Sequence, residues 1–280
     1  EESSSQQNFT DLEREKYKKE AAQLLKRIEH KKRTWFRRIT VVVASVAAVL
    51  CIAFGSMRYL AYLEEQNVTY LEAFTRYGEK KQLLLPDGTQ LQLNSCSYVR
   101  YPNRFNGDLR KVELEGEGYF KVARNEKQPF VVGTSRLDVR VLGTQFNVKS
   151  YKEDELVSVS VENGKVQVNL PEAMMRLEAK EQVIINTVSG EYSKRKEVRE
   201  VAVWREGELR FQSTPIRDVA KELERMYGCQ ISFSPEVDTT LQISGEHGNR
   251  SLDDVLESIS FISGGKLKYR KDGIKITFYK

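Results

Sequence analysis

The stretch VSVSVENGKVQV, residues 157–168, alternates apolar and polar side chains on both sides of Asn163-Gly164. Alternation with a period of two puts Val157, Val159 and Val161 on one face of a strand, and Val166 and Val168 on one face of the next. Asn-Gly fits the two-residue turn that reverses a chain with the twist of its flanking strands, so the reading predicts a hairpin here. The same period extends in both directions. Upstream, Leu83-Leu84-Leu85 meets Pro86-Asp87-Gly88, then Leu91 and Leu93 alternate with polar residues. Val112, Leu114, Tyr119-Phe120, Val122, Phe130–Val132, Leu137, Val139, Val141, Phe146 and Val148 continue it, and Ser189-Gly190 reads as a further turn. No long helical pattern interrupts residues 71–197, which predicts an antiparallel sandwich or a β-solenoid-like stack.

Further upstream the pattern changes. Ile39 to Met57 reads ITVVVASVAAVLCIAFGSM, without a charge and bracketed by Arg38 and Arg58. Nineteen such residues in a helix just cross a hydrocarbon core of about 30 Å. A buried core helix would carry a polar stripe, and a cleaved signal would have a shorter apolar run and fewer residues before it, so the segment reads as an anchor. Lys26, Arg27, Lys31, Lys32, Arg33, Arg37 and Arg38 precede it, whereas Arg58 is followed by Glu64 and Glu65. The excess of positive charge on the inner side predicts residues 1–38 in the cytoplasm and residues 58–280 outside it. Trp35, Phe36 and Tyr59 stand where interfacial aromatics belong. Within the first segment Tyr17, Ala21, Leu24, Leu25 and Ile28 recur at helical spacing among charges. They predict an amphipathic helix that lies on lipid or docks on a cytoplasmic partner.

The net charge of the 280 residues is +5. Residues 1–38 hold 11 Lys/Arg against 7 Asp/Glu, and the remainder of the totals, 45 and 40, is 34 against 33. A near-neutral remainder argues against a large nucleic-acid footprint, and the basic flank fits anionic lipid. Three cysteines, Cys51, Cys96 and Cys229, are too few for a disulfide scaffold and read as unpaired buried thiols; a Cys96–Cys229 bridge is the alternative in an oxidising compartment.

At the C-terminal end, Val203-Trp204-Arg205-Glu206-Gly207 opens a predicted strand to Phe211, and Thr214-Pro215 starts a helix with Ile216, Val219, Leu223 and Met226 or Tyr227 on one face. Gly228 stops it. Residues 229–233 and 241–245 read as strands, Ser251 caps a helix carrying Leu252, Val255, Leu256 and Ile259, and a hairpin turns at Asp272-Gly273. The order β-α-β-β-α-β-β predicts a small α+β domain.

Chemistry finds little purchase. The two histidines, His30 and His247, lie in separate segments without a nearby nucleophile elbow or metal-ligand spacing, which argues against a hydrolase triad and a zinc site. Glu113, Glu115 and Glu117 share one strand face and read as solvated. Gly116 and Gly118 precede no helix, so they do not make a phosphate loop. No cofactor is expected.

The runs LPDGTQLQLNSCSYVRYP (85–102), VELEGEGYFKVA (112–123), PFVV (129–132), LDVRVLGTQFNVKSY (137–151) and VENGKVQV (161–168) together resemble the FecR family of bacterial inner-membrane regulators, often anti-sigma factors, in the variety found in Bacteroides-type bacteria. Residues 203–280, most specifically VWREGELRF, are similar to the C-terminal domain of such members and to the small STN-like signalling modules of secretins and TonB-dependent receptors. The resemblance implies a single-pass membrane protein of the bacterial inner membrane. It has a cytoplasmic basic helix at 1–38 (an incomplete anti-sigma region), a transmembrane helix at 39–57 and a linker at 58–78. An all-β FecR-like domain at 79–198 and an STN-like domain at 199–280 follow. It further implies a TonB-dependent receptor's signalling domain as periplasmic partner, an extracytoplasmic-function (ECF) sigma factor as cytoplasmic partner, the lipid bilayer and an intramembrane protease. Some members are cut at a Gly-Thr bond, and Gly143-Thr144 matches that pair. The reading of the residues keeps Gly143 as a bulge or tight approach in the sheet. A periplasmic scaffold or glycan-binding anchor without signalling is the alternative to the relay.

Overall fold

The structure, a computed structural model, describes residues 11–66, 68–198 and 200–280. It divides into two units, one ending at Asn67 and one starting at Val68. In the first, α1 (Asp11–Gln66) is one unbroken helix of 56 residues, about 84 Å at 1.5 Å per residue. Within it Thr40–Leu60 has a mean hydropathy of 2.3 and none of its residues is buried. The basic segment and the apolar segment are therefore one helix. The polar side chains inside the span stay local, with Ser45 Oγ donating to Val42 O at 2.8 Å and Ser56 Oγ to Ala53 O at 2.9 Å, so neither hydroxyl is left bare in an apolar surround.

The second unit begins with a β domain of thirteen strands. They are β1 (Tyr70–Phe74), β2 (Lys81–Leu84), β3 (Gln90–Leu93), β4 (Tyr98–Pro102), β5 (Arg110–Lys121), β6 (Phe130–Gly133), β7 (Asp138–Val141), β8 (Gln145–Ser150), β9 (Leu156–Asn163), β10 (Lys165–Asn169), β11 (Met174–Glu178), β12 (Gln182–Asn186) and β13 (Tyr192–Arg195). The chain from 70 onward belongs to this sheet, since Tyr70 to Phe74 pair with Pro102 to Tyr98. That is a correction to the linker expected at 58–78, of which residues 58–66 continue α1. A short run with a single apolar inward residue, Ala73, gives too weak an alternation to be read as a strand.

The long strand β5 organises the domain. Its first half pairs with β4 and, in parallel, with β6; its second half pairs with β3 and β8. The two halves thus enter two layers. One runs β1-β4-β5-β6-β7-β10-β11 and the other β2-β3-β5-β8-β9-β12-β13. Between them lies one apolar core with Val99, Val132, Val139 and Val168 from the first layer and Leu91, Phe120, Phe146, Val148, Val159 and Val183 from the second. β5 changes layer at Gly116, whose φ is +108° and where a Cβ would stand 2.4 Å from Ser97 Oγ. Only glycine takes both that backbone and that contact.

The turn at Asp87-Gly88 closes the β2–β3 hairpin, with Leu85 N donating to Thr89 O at 2.9 Å. Its Asp87 is tied to the buried Arg110 at 2.6 Å. Asn163-Gly164 behaves otherwise. β9 pairs with β8 and β12, and β10 with β7 and β11, but not with each other. The expected hairpin is a corner between the two layers. Gly164, at φ +94°, lies on Thr144, which a Cβ would reach at 2.9 Å. Asn-Gly supplies the backbone a reversal needs, while alternation reports a buried face and not the identity of the neighbour.

The C-terminal domain follows as β14 (Leu209–Pro215), α2 (Ile216–Tyr227), β15 (Gln230–Phe233), β16 (Gln242–His247), α3 (Leu252–Ile262), β17 (Lys268–Asp272) and β18 (Lys275–Tyr279). β14 and β16 pair, and β15-β18-β17 form a second sheet in which β15 runs parallel to β18. Ile216, Val219, Leu223, Val255, Leu256, Ile259, Ile276 and Phe278 fill its core. Ser251 caps α3 reciprocally with Asp254, each backbone N–H bonding the other's side chain at 3.3 Å. Val203–Glu206 form a 3-10 turn and not the expected start of a strand. Trp204 is buried against the β domain there, which holds the backbone off the sheet. All three cysteines are free thiols, and only Cys229 is buried: Cys51 is exposed on α1 and Cys96 is half-buried.

Candidate functional site

The residues that hold most charge out of water lie where the two domains of the second unit meet. α2 puts Ile216, Val219, Ala220 and Leu223 into its own core. Helical spacing then turns Arg217, Lys221 and Arg225 outward, one turn apart. They meet Tyr151–Glu155, the connection between β8 and β9. Arg225 makes two parallel bonds to Asp154, Nη1–Oδ1 3.1 Å and Nη2–Oδ2 3.0 Å. Its guanidinium lies 3.9 Å over the Tyr151 ring, and Tyr151 Oη donates to Ser95 O at 2.8 Å. Lys221 Nζ donates to Glu153 O at 2.8 Å, Arg217 pairs with Glu155 at 2.7 Å, and Glu222 pairs with Lys149. Gly78 N donates to Arg225 O at 2.8 Å, so the segment after β1 is fastened to the same helix.

Beneath this row sits Glu117. The three glutamates of β5 were expected on one solvated face; Glu113 and Glu115 are exposed, but Glu117 is buried, because β5 has passed Gly116 into the other layer. Its carboxylate accepts from Asn94 Nδ2 and Asn147 Nδ2, both at 2.8 Å. Burial pushes its pKa up, against the downward pull of Lys149 and of the two amides. Asn147 Oδ1 accepts from Trp204 Nε1 at 3.2 Å, and Lys80 Nζ donates to Trp204 O. Burial also pushes Lys149 down, but Glu222 and Glu117 outweigh it and hold its pKa above the ordinary lysine value. On the other side of the 3-10 turn, Arg205 lies 3.9 Å over Tyr119 and 3.6 Å from Glu162. A cleft of about 760 Å³ opens along the joint, lined by Lys80, Glu117, Asn147, Ser160, Gln182 and Trp204 among others.

Sequence reasoning did not single out this joint. The signal was present as an acidic run, Glu153-Asp154-Glu155, and a basic row at 217, 221 and 225, opposite in sign and matched in number.

The residues it did single out lie elsewhere. Gly143-Thr144 joins β7 to β8. A Cβ on Gly143 would stand 2.7 Å from Arg124 Cα, a tight approach of two backbones, and Thr144 Oγ1 donates to Lys165 O at 2.9 Å. Of the stripe on α1, Ala21 is exposed, and the side chains of Tyr17, Leu24, Leu25 and Ile28 lie outside the described residues. His247 is buried at the end of β16, its ring 5.8 Å from that of Phe211, with no hydrogen-bond partner for either nitrogen. Among the described residues no three His, Cys, Asp or Glu gather to hold a metal ion.

The described residues thus comprise a helix with an apolar span, and a β sandwich joined by ion pairs to a small α+β domain. Residues 72–167 match the FecR protein model and residues 208–278 the FecR C-terminal model. Two crystal structures of a candidate anti-sigma factor from Parabacteroides distasonis, at 1.65 and 2.50 Å resolution, are each 46% identical to this chain. They superpose with TM-scores of 0.72 and 0.73, over 75% and 76% of this chain and 99% of each of theirs. None of the curated proteins matches it. The chain belongs to the FecR family, has an anti-sigma, signalling role and is not an enzyme.

Proposed function

We propose that the chain is a single-pass relay of the bacterial inner membrane. In this reading Thr40–Leu60 crosses the bilayer, the basic segment before it is cytoplasmic, and residues 68–280 stand in the periplasm. The stripe Tyr17, Ala21, Leu24, Leu25 and Ile28 meets a sigma factor of the ECF class, and the outer domains receive the signalling module of a TonB-dependent receptor. Open strand edges at β2, β11 and β13 suit a partner strand. An intramembrane protease would act on the span at its small residues, near Ser45, Gly55 and Ser56. The Gly143-Thr144 bond stays whole in this reading, because Gly143 serves the close packing on Arg124. A second band in denaturing gels, after long incubation of the purified outer part, would contradict that.

The observation that carries the proposal is the unbroken run of α1 from Asp11 to Gln66, with an uncovered apolar span in its middle and strong basic charge on one flank only. The test is a sigma-dependent transcription reporter in cells carrying the full chain. Output that changes with receptor occupancy, and ceases to change when the receptor's signalling module or residues 68–280 are deleted, supports the relay. Output indifferent to both deletions overturns it in favour of a scaffold or glycan-binding anchor.

A further inference from the structure

The three-stranded sheet of the C-terminal domain has an inner face against the helices and an outer face that no other element covers among the described residues. Ile276 and Phe278 of β18, and Tyr269 of β17, point inward. Alternation then turns Lys268 and Arg270 of β17, Lys275, Thr277 and Tyr279 of β18, and Ser232 of β15 outward. The register places Lys268 opposite Tyr279 and Arg270 opposite Thr277. Lys268, Arg270 and Lys275 are exposed, and none has an ion-pair partner among the described residues. The carboxylate on this face, Asp272, stands across from Lys275 at the turn. Lys271, on the inner side, is already engaged by Asp253 at 2.6 Å. Ile274 is 60% exposed beside this face.

The two edges of this sheet differ, and on β15 the Ile231 N–H already donates to Glu224 Oε1 at 2.7 Å. β15 offers Gln230 and Ser232, whereas β17 offers Lys268 and Arg270, two residues apart on one face and so about 7 Å apart along the strand. Carboxylates on alternate residues of an extended chain have that same spacing. We propose that β17 is a docking edge for an acidic, extended segment of a protein partner, which adds as a fourth strand. Its backbone pairs with the free N–H and C=O groups of β17, its alternate carboxylates meet Lys268 and Arg270, and Ile274 gives it an apolar contact at the turn. The inference rests on the relay reading, for which it names the receiving edge and the chemistry of the partner.

The test is photo-cross-linking in living cells, with benzoylphenylalanine replacing Tyr279 in the full chain. The expected result is an adduct to one protein species, whose cross-linked peptide carries Asp or Glu at alternate positions. K268E/R270E/K275E reduces the adduct about ten-fold and K268Q/R270Q/K275Q reduces it less, as charge steering requires. An unchanged thermal midpoint shows that both variants fold. The idea is overturned by an adduct that ignores charge reversal, by labelling of lipid alone, or by no adduct. Cross-linking only to other copies of this chain once the charges are reversed also overturns it, because lysines then merely guard an edge. Failure of the relay reading looks different: the adduct persists while the sigma reporter ignores the receptor. Loss of the edge alone leaves the reporter responsive in the charge-reversed variant.

Discussion

Arg225 and Asp154 face each other across the β domain and the C-terminal domain as a two-point pair, both side chains nearly closed off from water. Such a pair sets geometry more than it adds stability, since desolvating two charges offsets much of their attraction. Removing one partner is another matter. Asp154→Ala leaves Arg225 buried with Lys221 beside it, and is expected to cost about 3–5 kcal/mol. The double variant D154A/R225M should recover a large part of that loss. Chemical denaturation of residues 68–280 measures both; equal losses in the single and double variants would show that the pair is not coupled.

Glu117 gives the joint a pH dependence whose sign is fixed by burial. Its folded pKa is raised, so the folded state holds its proton at pH values where the unfolded chain has released it. The contribution to stability is full below the ordinary carboxylate pKa and is lost as pH rises through the raised value. Glu117→Gln removes this titration. The stability of the parent relative to E117Q should therefore fall between acid and neutral pH, and two parallel stability–pH curves would refute the assignment.

His247 has the opposite sign. Burial, followed by the charge of Arg250, lowers its folded pKa, so the ring is neutral in the folded state. Stability is present above the unfolded histidine pKa, about 6.5, and declines as pH falls through it. His247→Phe, filling the site beside Phe211 without an ionisable group, should flatten the decline between about pH 7 and 5. Hydrogen exchange of the amides of α2, α3 and β14–β18, followed against pH, reads this directly.

Gly116→Ala confronts a φ of +108° and a Ser97 Oγ that its Cβ would meet at 2.4 Å. Overpacking of this kind costs about 1–3 kcal/mol, and strain at a positive φ adds to it. The companion variant G116A/S97G removes the contacts with the Ser97 Oγ and Cβ, but the Cα of residue 97 still stands 2.7 Å from the new Cβ and the backbone strain stays, so it should recover only part of the stability.

Much of the architecture was legible because burial imposes a period. Alternation found nearly every strand that carries two or more inward apolar residues, and the Pro-Asp-Gly and Asp-Gly turns between neighbours were read as they stand. What alternation cannot encode is adjacency. The valines of β9 and β10 are equally buried whether those strands pair or part at a corner, and only the packing of Gly164 on Thr144 decides. Glu117 was misplaced for a related reason: a strand that changes layer reverses which of its faces meets water. The joint escaped notice because ion pairs leave no periodicity, only complementary runs far apart in sequence.

The passage of β5 through both layers bears on how the domain comes into being. Neither layer closes without this one strand, and its neighbours β3, β4, β6 and β8 come from both sides of it in the chain. A nascent chain that has not yet delivered Lys149 lacks a whole edge for β5, so assembly waits on distant segments and proceeds slowly and all at once. The reverse holds for dismantling: no layer can be peeled away by itself. A pull or a protease that disturbs one layer disturbs both, and the β domain is either present entire or absent.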